Sequence, residues 1–138
     1  MDFAWPIISN KEAIAVNQQW AGESGNVFAH ANTTVSLGRW TSGVPAWQYL
    51  SKALPGGRVA VLMVNHGNSS RQMVLQWSAV PGLACAHVSA SASGDAGGGG
   101  GGGGCAVRDI WGRRALGTFR GSFTAHVESH GSAFLTVM

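Results

Sequence analysis

The chain has 138 residues, enough for one domain and part of another, and its 45% hydrophobic content allows a packed core. Only 11% of residues are charged, and the net charge of +3 includes no basic run longer than Arg113-Arg114, which argues against a nucleic-acid surface. The longest apolar run, Val59 to Val64, is strand-length and too short to cross a bilayer.

The N-terminal MDFAWPIISNKEA has neither a basic start nor a sustained apolar stretch, so it does not read as a signal peptide. A chain natively beginning at Met1 is expected to stay in the cytosol. Residues 9–19, SNKEAIAVNQQ, predict a single helix. Ser9 and Glu12 stand at capping-box spacing, Ile8 is placed to staple onto Ala13, and the pattern breaks at Ala21-Gly22. Ile14 and Ala15 open an apolar face on a segment too short to be helical alone in water, so it needs a surface to pack on. No other stretch reads as helical.

From residue 26 the pattern turns to strands. Val27 to His30 and Thr33 to Leu37 are weak segments, followed by Ala46 to Lys52. Arg58 to Asn65 (RVAVLMVN), bounded by Pro-Gly-Gly and His-Gly-Asn, reads as a central strand buried on both faces. Arg71 to Trp77 is expected to pair antiparallel with it. Ala84 to Ser91 and Cys105 to Trp111 come next. Ser122 to Val127 alternates, with Phe123, Ala125 and Val127 on one face and Ser122, Thr124 and His126 on the other. Ser132 to Met138 closes the domain. Short strands at this spacing predict an all-β antiparallel sandwich over residues 26–138.

One low-complexity segment interrupts that pattern. Residues 89–104, SASASGDAGGGGGGGG, end in eight consecutive glycines. They match the dinucleotide fingerprint formally, but a strand rather than a helix follows, so no phosphate loop is implied. The stretch reads as an expanded surface loop, whose closure cost grows only with the logarithm of its length.

The residues that carry chemistry are sparse. The carboxylates are Asp2, Glu12, Glu23, Asp95, Asp109 and Glu128. Glu12 reads as a cap, and Asp109 and Glu128 as partners for Arg108, Arg113 or Arg120. The histidines at 30, 66, 87, 126 and 130 show no metal-ligand spacing, and His126 and His130 straddle a strand end. Gly-x-Ser-x-Gly is absent. No catalytic residue, metal or cofactor is predicted. Cys85 and Cys105 are compatible with one disulfide or with two reduced buried thiols. Asn32 (Asn-Thr-Thr) and Asn68 (Asn-Ser-Ser) fit the N-glycosylation acceptor pattern. Six tryptophans, at 5, 20, 40, 47, 77 and 111, invite a sugar-stacking role, but core and interface anchoring is the favoured reading.

Three stretches together resemble the C-terminal part of melibiase-type α-galactosidases, glycoside hydrolase family 27. IISNKEAIAVNQQWAGESG (7–25) is similar to the family's exit from its catalytic barrel, with an Ile-x-Ser-Asn-Lys-Glu pattern. Gln19-Trp20-Ala21-Gly22 departs from the commoner Asp-Pro-Leu-Gly and resembles a Trp-Ala-Gly variant. SKALPGGRVAVLMVN (51–65) resembles the first strong strand of the family's C-terminal domain, and CAVRDIWGRRALGTFRGSFTAHVESHGSAFLTV (105–137) its closing hairpins.

The resemblance implies a parent with a (β/α)8 barrel that cleaves terminal α-galactosides with retention, followed by the sandwich. Both reacting carboxylates of such a parent precede the Ser-Asn-Lys-Glu helix, so no position here inherits a catalytic role. Residues 1–25 would be the last barrel helix and exit segment, left without a proper partner for its apolar face. Trp20, Trp40 and Trp47 would lie at the barrel interface, giving a risk of self-association. An α-galactoside would be met only through the barrel; no nucleic acid or membrane partner is implied. Related α-N-acetylgalactosaminidase and arabinopyranosidase activities occur in the family. The parent's location would be secretory, vacuolar, lysosomal or extracellular. In that setting Cys85 and Cys105, flanking the glycine loop at the bases of two strands, are placed to bridge, though the reduced form stays open. The alternative is a stand-alone carbohydrate-binding or structural β-sandwich without catalysis.

Overall fold

The computed structural model describes residues 4–85 and 104–138. A helical turn, α1 (Trp5–Ile8), precedes helix α2 (Lys11–Gln18). Ten strands follow: β1 (Asn26–His30), β2 (Thr34–Leu37), β3 (Thr41–Pro45), β4 (Trp47–Leu54), β5 (Arg58–Asn65), β6 (Arg71–Gln76), β7 (Cys105–Asp109), β8 (Arg114–Phe119), β9 (Ser122–Val127) and β10 (Ser132–Val137). Six of them form one antiparallel sheet in the order β1-β4-β5-β10-β7-β8. β6 and β9 form a two-stranded layer, and β2–β3 is a separate hairpin.

The main core lies between the large sheet and the β6–β9 layer. Val59, Val61 and Met63 of β5, Val107 of β7, and Leu135 and Val137 of β10 face Met73 and Leu75 of β6 and Phe123 and Val127 of β9. These are the alternate residues that a pleated strand turns to one side. Trp77, in a 3-10 turn after β6, is almost fully buried, and its indole N–H donates to Phe119 O at 2.9 Å. The antiparallel sandwich expected from the sequence is therefore the fold.

β5 is buried on both faces, as its unbroken apolar run suggests. Its second face, through Ala60, meets Leu54, Phe134 and Val16 of α2. The helix is thus seated on the outer face of the large sheet. It does not lack a partner.

Several expectations need correction. β6 does not pair with β5; it pairs with β9 from Arg71↔Val127 to Gln76↔Ser122. Both edges of β5 are taken by β4 and β10. β6 has only one apolar face, Met73 and Leu75, which suits a covering layer and not a strand sandwiched on both sides. The change of layer is held by Asn65, which is buried at the end of β5. Its Nδ2 donates to Ser69 O, Val127 O and Glu128 O, and its Oδ1 accepts from Gly67 N.

The helix cap is Asn10 and not Ser9. Asn10 Oδ1 accepts from Glu12 N and Ala13 N, while the Ser9 hydroxyl donates back to Trp5 O in the preceding helical turn. With Ser9 taken up by that turn, the Ser9–Glu12 box does not form. Ile8 is exposed and makes no staple. α1 is a second helical segment beyond the single helix expected; Pro6, a helix breaker in an interior, is favoured in a first turn.

Two strands had no sequence signal strong enough to predict them. β3 contains Gly43 with positive φ, and β8 contains Gly117 with positive φ beside a register shift at Val107/Arg108. Each glycine interrupts the alternation on which strand prediction depends. The expected strand from Ala84 to Ser91 falls outside the described residues beyond Cys85, as does the glycine-rich loop apart from Gly104.

Candidate functional site

The residues around α2 make an extended polar arrangement that ties the helix to the sheet. Asn10, 1% exposed, caps the helix with Oδ1 while its Nδ2 donates to Ile110 O at 2.9 Å, just beyond β7. Both halves of one amide are therefore used, one for the helix and one for the sheet. Glu12 meets Arg108 in a two-point ion pair, Nη2 to Oε1 at 2.6 Å and Nε to Oε2 at 2.7 Å. At the other end Lys52 Nζ donates to Val16 O and Asn17 O at 2.8 and 2.9 Å. These are last-turn carbonyls without helical partners, where a cation also opposes the helix dipole. Arg58 adds a bond to Gln19 Oε1 at 3.2 Å.

Glu12 is thus an ion-pair partner and not a cap, and of the three arginines open to Asp109 and Glu128 in the sequence, Arg108 pairs with neither. Alternation held the missing signal, since neighbours on β7 point to opposite faces and Arg108 must leave Asp109 behind. Asp109 instead lies directly across the β7–β8 ladder from Arg114, with Nε to Oδ2 at 3.6 Å. Glu128 sits two residues beyond His126 and pairs with it, Oε1 to Nε2 at 3.2 Å.

The Arg108 guanidinium, through its hydrogen bonds, holds the Glu12 carboxyl below its ordinary value of 4.5, and Glu12 in turn raises Arg108. A carboxyl with a depressed folded pKa contributes stability that is complete above the unfolded value and disappears as pH falls through the folded one. The Glu12 contribution is thus present at neutral pH and lost on acidification below about 4.5. Both side chains are partly in water, so the effect is small. Glu12→Gln is expected to lower the melting temperature by no more than about 3 °C at pH 7 and by less at pH 3, where the carboxyl is increasingly protonated. Thermal unfolding of both proteins across that range checks it; equal differences at both pH values would contradict the ion-pair account.

Between α2 and the sheet runs a mostly apolar groove of about 500 Å³, lined by Ala13, Val16, Trp20, Leu50, Leu62 and Phe134 among others. Trp20 is 68% exposed at its rim. Trp5, Ile7, Ile8 and Ile14 are exposed on the same N-terminal segment. Trp40, 91% exposed, stands in the turn of the β2–β3 hairpin. Trp47 differs. It packs against the main core and lies 5.1 Å from the Tyr49 ring.

The other sequence-predicted residues are dispersed. Cys85 and Cys105 form a disulfide with Cα atoms 5.4 Å apart. Asn32 is exposed in the bend before β2, and Asn68 in the bend after β5, where its Oδ1 lies 3.1 Å from His130 Nε2. Asp2, Asp95 and His87 lie outside the described residues. Among the described residues no group of three metal-ligating side chains comes together. Glu12 and Asp109 line separate clefts.

A family model described as "Alpha galactosidase C-terminal beta sandwich domain" matches residues 44–137. An α-galactosidase of Coffea arabica is 29% identical over 126 residues, covering 91% of this chain and 25% of that protein. The probable α-galactosidase D of Aspergillus fumigatus is 28% identical over 130 residues, 94% of this chain and 15% of that protein. The chain therefore spans a quarter or less of the length of these curated relatives. The crystal structure of α-galactosidase I from Mortierella vinacea superposes with a TM-score of 0.70 at 25% identity, over 100% of this chain and 29% of that one. The β-L-arabinopyranosidase of Geobacillus stearothermophilus shares the fold, with a TM-score of 0.68 at 12% identity over 99% of this chain and 24% of that one.

Proposed function

Because the chain belongs to the α-galactosidase C-terminal β-sandwich family, we propose that it serves as the sandwich portion of an α-galactosidase-type glycoside hydrolase and buttresses a catalytic barrel. In this reading the reacting carboxylates belong to barrel strands beyond these residues, and the sandwich contributes a rigid support. The observation that carries it is the distribution of exposed apolar side chains. Of the ten large hydrophobics left exposed among the described residues, five (Trp5, Ile7, Ile8, Ile14 and Trp20) lie within the first twenty positions. An apolar concentration of this kind marks a contact surface. It belongs to the segment whose other side is fixed to the sheet by Asn10, Glu12 and Lys52. Trp20 and Trp40 are the aromatic anchors offered to the barrel, whereas Trp47 packs against the main core.

The parent is proposed to follow the secretory route. A disulfide persists in oxidising compartments, and both acceptor asparagines are exposed where a glycan could be attached.

Size-exclusion chromatography tests the surface. Alone, the chain is expected to self-associate through its N-terminal patch. A Trp5→Ser, Ile8→Ser, Trp20→Ser variant should elute as a monomer with unchanged circular dichroism. A monodisperse monomer for the unaltered chain, with no binding to the isolated barrel of a related α-galactosidase, would overturn the proposal.

A further inference from the structure

A second cleft, of about 440 Å³, opens between the β7–β8 hairpin and the edge of β9, beside Ala133 and Leu135 of β10. It exists because the covering layer has two strands over a six-stranded sheet, so β8 extends past it. Its volume is that of a small-molecule site.

The walls combine two chemistries. Trp111, Phe119 and Phe123 supply aromatic surface, the two phenylalanines packed edge to face at 4.9 Å and Trp111 left 37% exposed. The Trp111 indole is fixed by donating to Ser132 Oγ at 3.2 Å and by tilted packing against Phe134, with ring centroids 5.2 Å apart. Asp109 and Arg114 supply charge. Asp109 Oδ1 accepts from Gly112 N at 3.0 Å, and a side chain at Gly112 would run into that carboxylate, so the glycine keeps the group in place. Asp109 Oδ2 and Arg114 Nε stand 3.6 Å apart, too far for a full hydrogen bond. Each therefore retains capacity for another partner. Thr124 and His126 of β9 complete the polar rim.

The lining selects among ligand classes. An anion such as phosphate would meet the Asp109 carboxylate. An aliphatic chain would cover a charged pair without satisfying it, which is costly. A neutral polyhydroxylated ring satisfies both halves, with its C–H face on aromatic surface and adjacent hydroxyls shared between a carboxylate acceptor and a guanidinium donor. We propose that this cleft is a saccharide-binding site formed by the sandwich alone; of its lining only Trp111 and Ser132 also border Ile7 of the surface assigned to the barrel. It does not rest on the buttressing role, and either can fail without the other.

Titration of the isotope-labelled full chain with methyl α-D-galactopyranoside, methyl β-D-galactopyranoside and methyl α-D-glucopyranoside, followed by amide and indole NMR shifts, tests the site. Saturable shifts at Asp109, Arg114, Thr124 and the Trp111 indole are expected for at least one sugar, with a Kd of about 1–10 mM. Arg114→Ala removes an exposed side chain and should weaken binding about tenfold with the spectrum otherwise intact. Trp111→Ala should abolish it. The proposal is overturned by no saturation with any of the three sugars, by shifts confined to the groove beside α2, by equal binding of inorganic phosphate, or by an Arg114→Ala variant that binds as well as the parent.

Discussion

Purified on its own, the chain is expected to release no nitrophenol from a nitrophenyl α-galactoside above a mock preparation. Retaining hydrolysis needs two carboxyl groups about 5–5.5 Å apart across one bond, one attacking the anomeric carbon and the other protonating the leaving oxygen. Glu12 is engaged by Arg108 on the helix side of the sheet, and Asp109 is held by Gly112 N in a different cleft. Glu128 pairs with His126 on the surface, and Glu23 is exposed. No described cleft brings two of these together, so the oxocarbenium-like transition state would gain neither nucleophile nor acid. Glycosidase accelerations exceed about a million-fold, and their loss leaves nothing measurable in an ordinary assay. Turnover that copurifies with the chain and falls when Asp109 or Glu128 is changed to alanine would sink both this expectation and the proposed division of labour.

Removing the Cys85–Cys105 bridge should cost the fold far more than breaking the helix ion pair. The bridge spans 20 residues, including the glycine-rich loop, and Cys105 is fully buried within the main core. Without it the unfolded chain regains the freedom of that loop, a destabilisation of about 3 kcal/mol on the chain-entropy account. For a domain of this size that corresponds to a melting temperature lowered by about 10 °C. The Cys85→Ala, Cys105→Ala variant and the dithiothreitol-treated parent should fall together, and reductant should have no further effect on the variant. A variant that melts with the parent would show that the loop ends are held by packing alone.

Much of the fold follows from local patterning. Arg58–Asn65 and Ser122–Val127 occur with the predicted bounds, because unbroken β-branched runs and clean alternation each match one environment, buried on two faces or on one. The resemblance of residues 7–25, 51–65 and 105–137 to the α-galactosidase family likewise required only the order of side chains along the chain, and the family match over residues 44–137 agrees with it for the last two stretches. Other features depend on residues far apart in sequence. Which strand β6 joins was decided by Asn65 redirecting the chain into a second layer and by β10 returning to claim the free edge of β5. Nothing within RQMVLQW carries that information. The role of Glu12 was decided by Arg108, 96 residues away, and the fate of the helix by a sheet face assembled from β4, β5 and β10. Capping rules weigh neighbours along the backbone, whereas an ion pair or a packed face draws on whatever the closed sheet presents. That is why the local elements could be predicted from sequence, while the helix's seat and the two clefts beside the sheet emerged only with the tertiary structure.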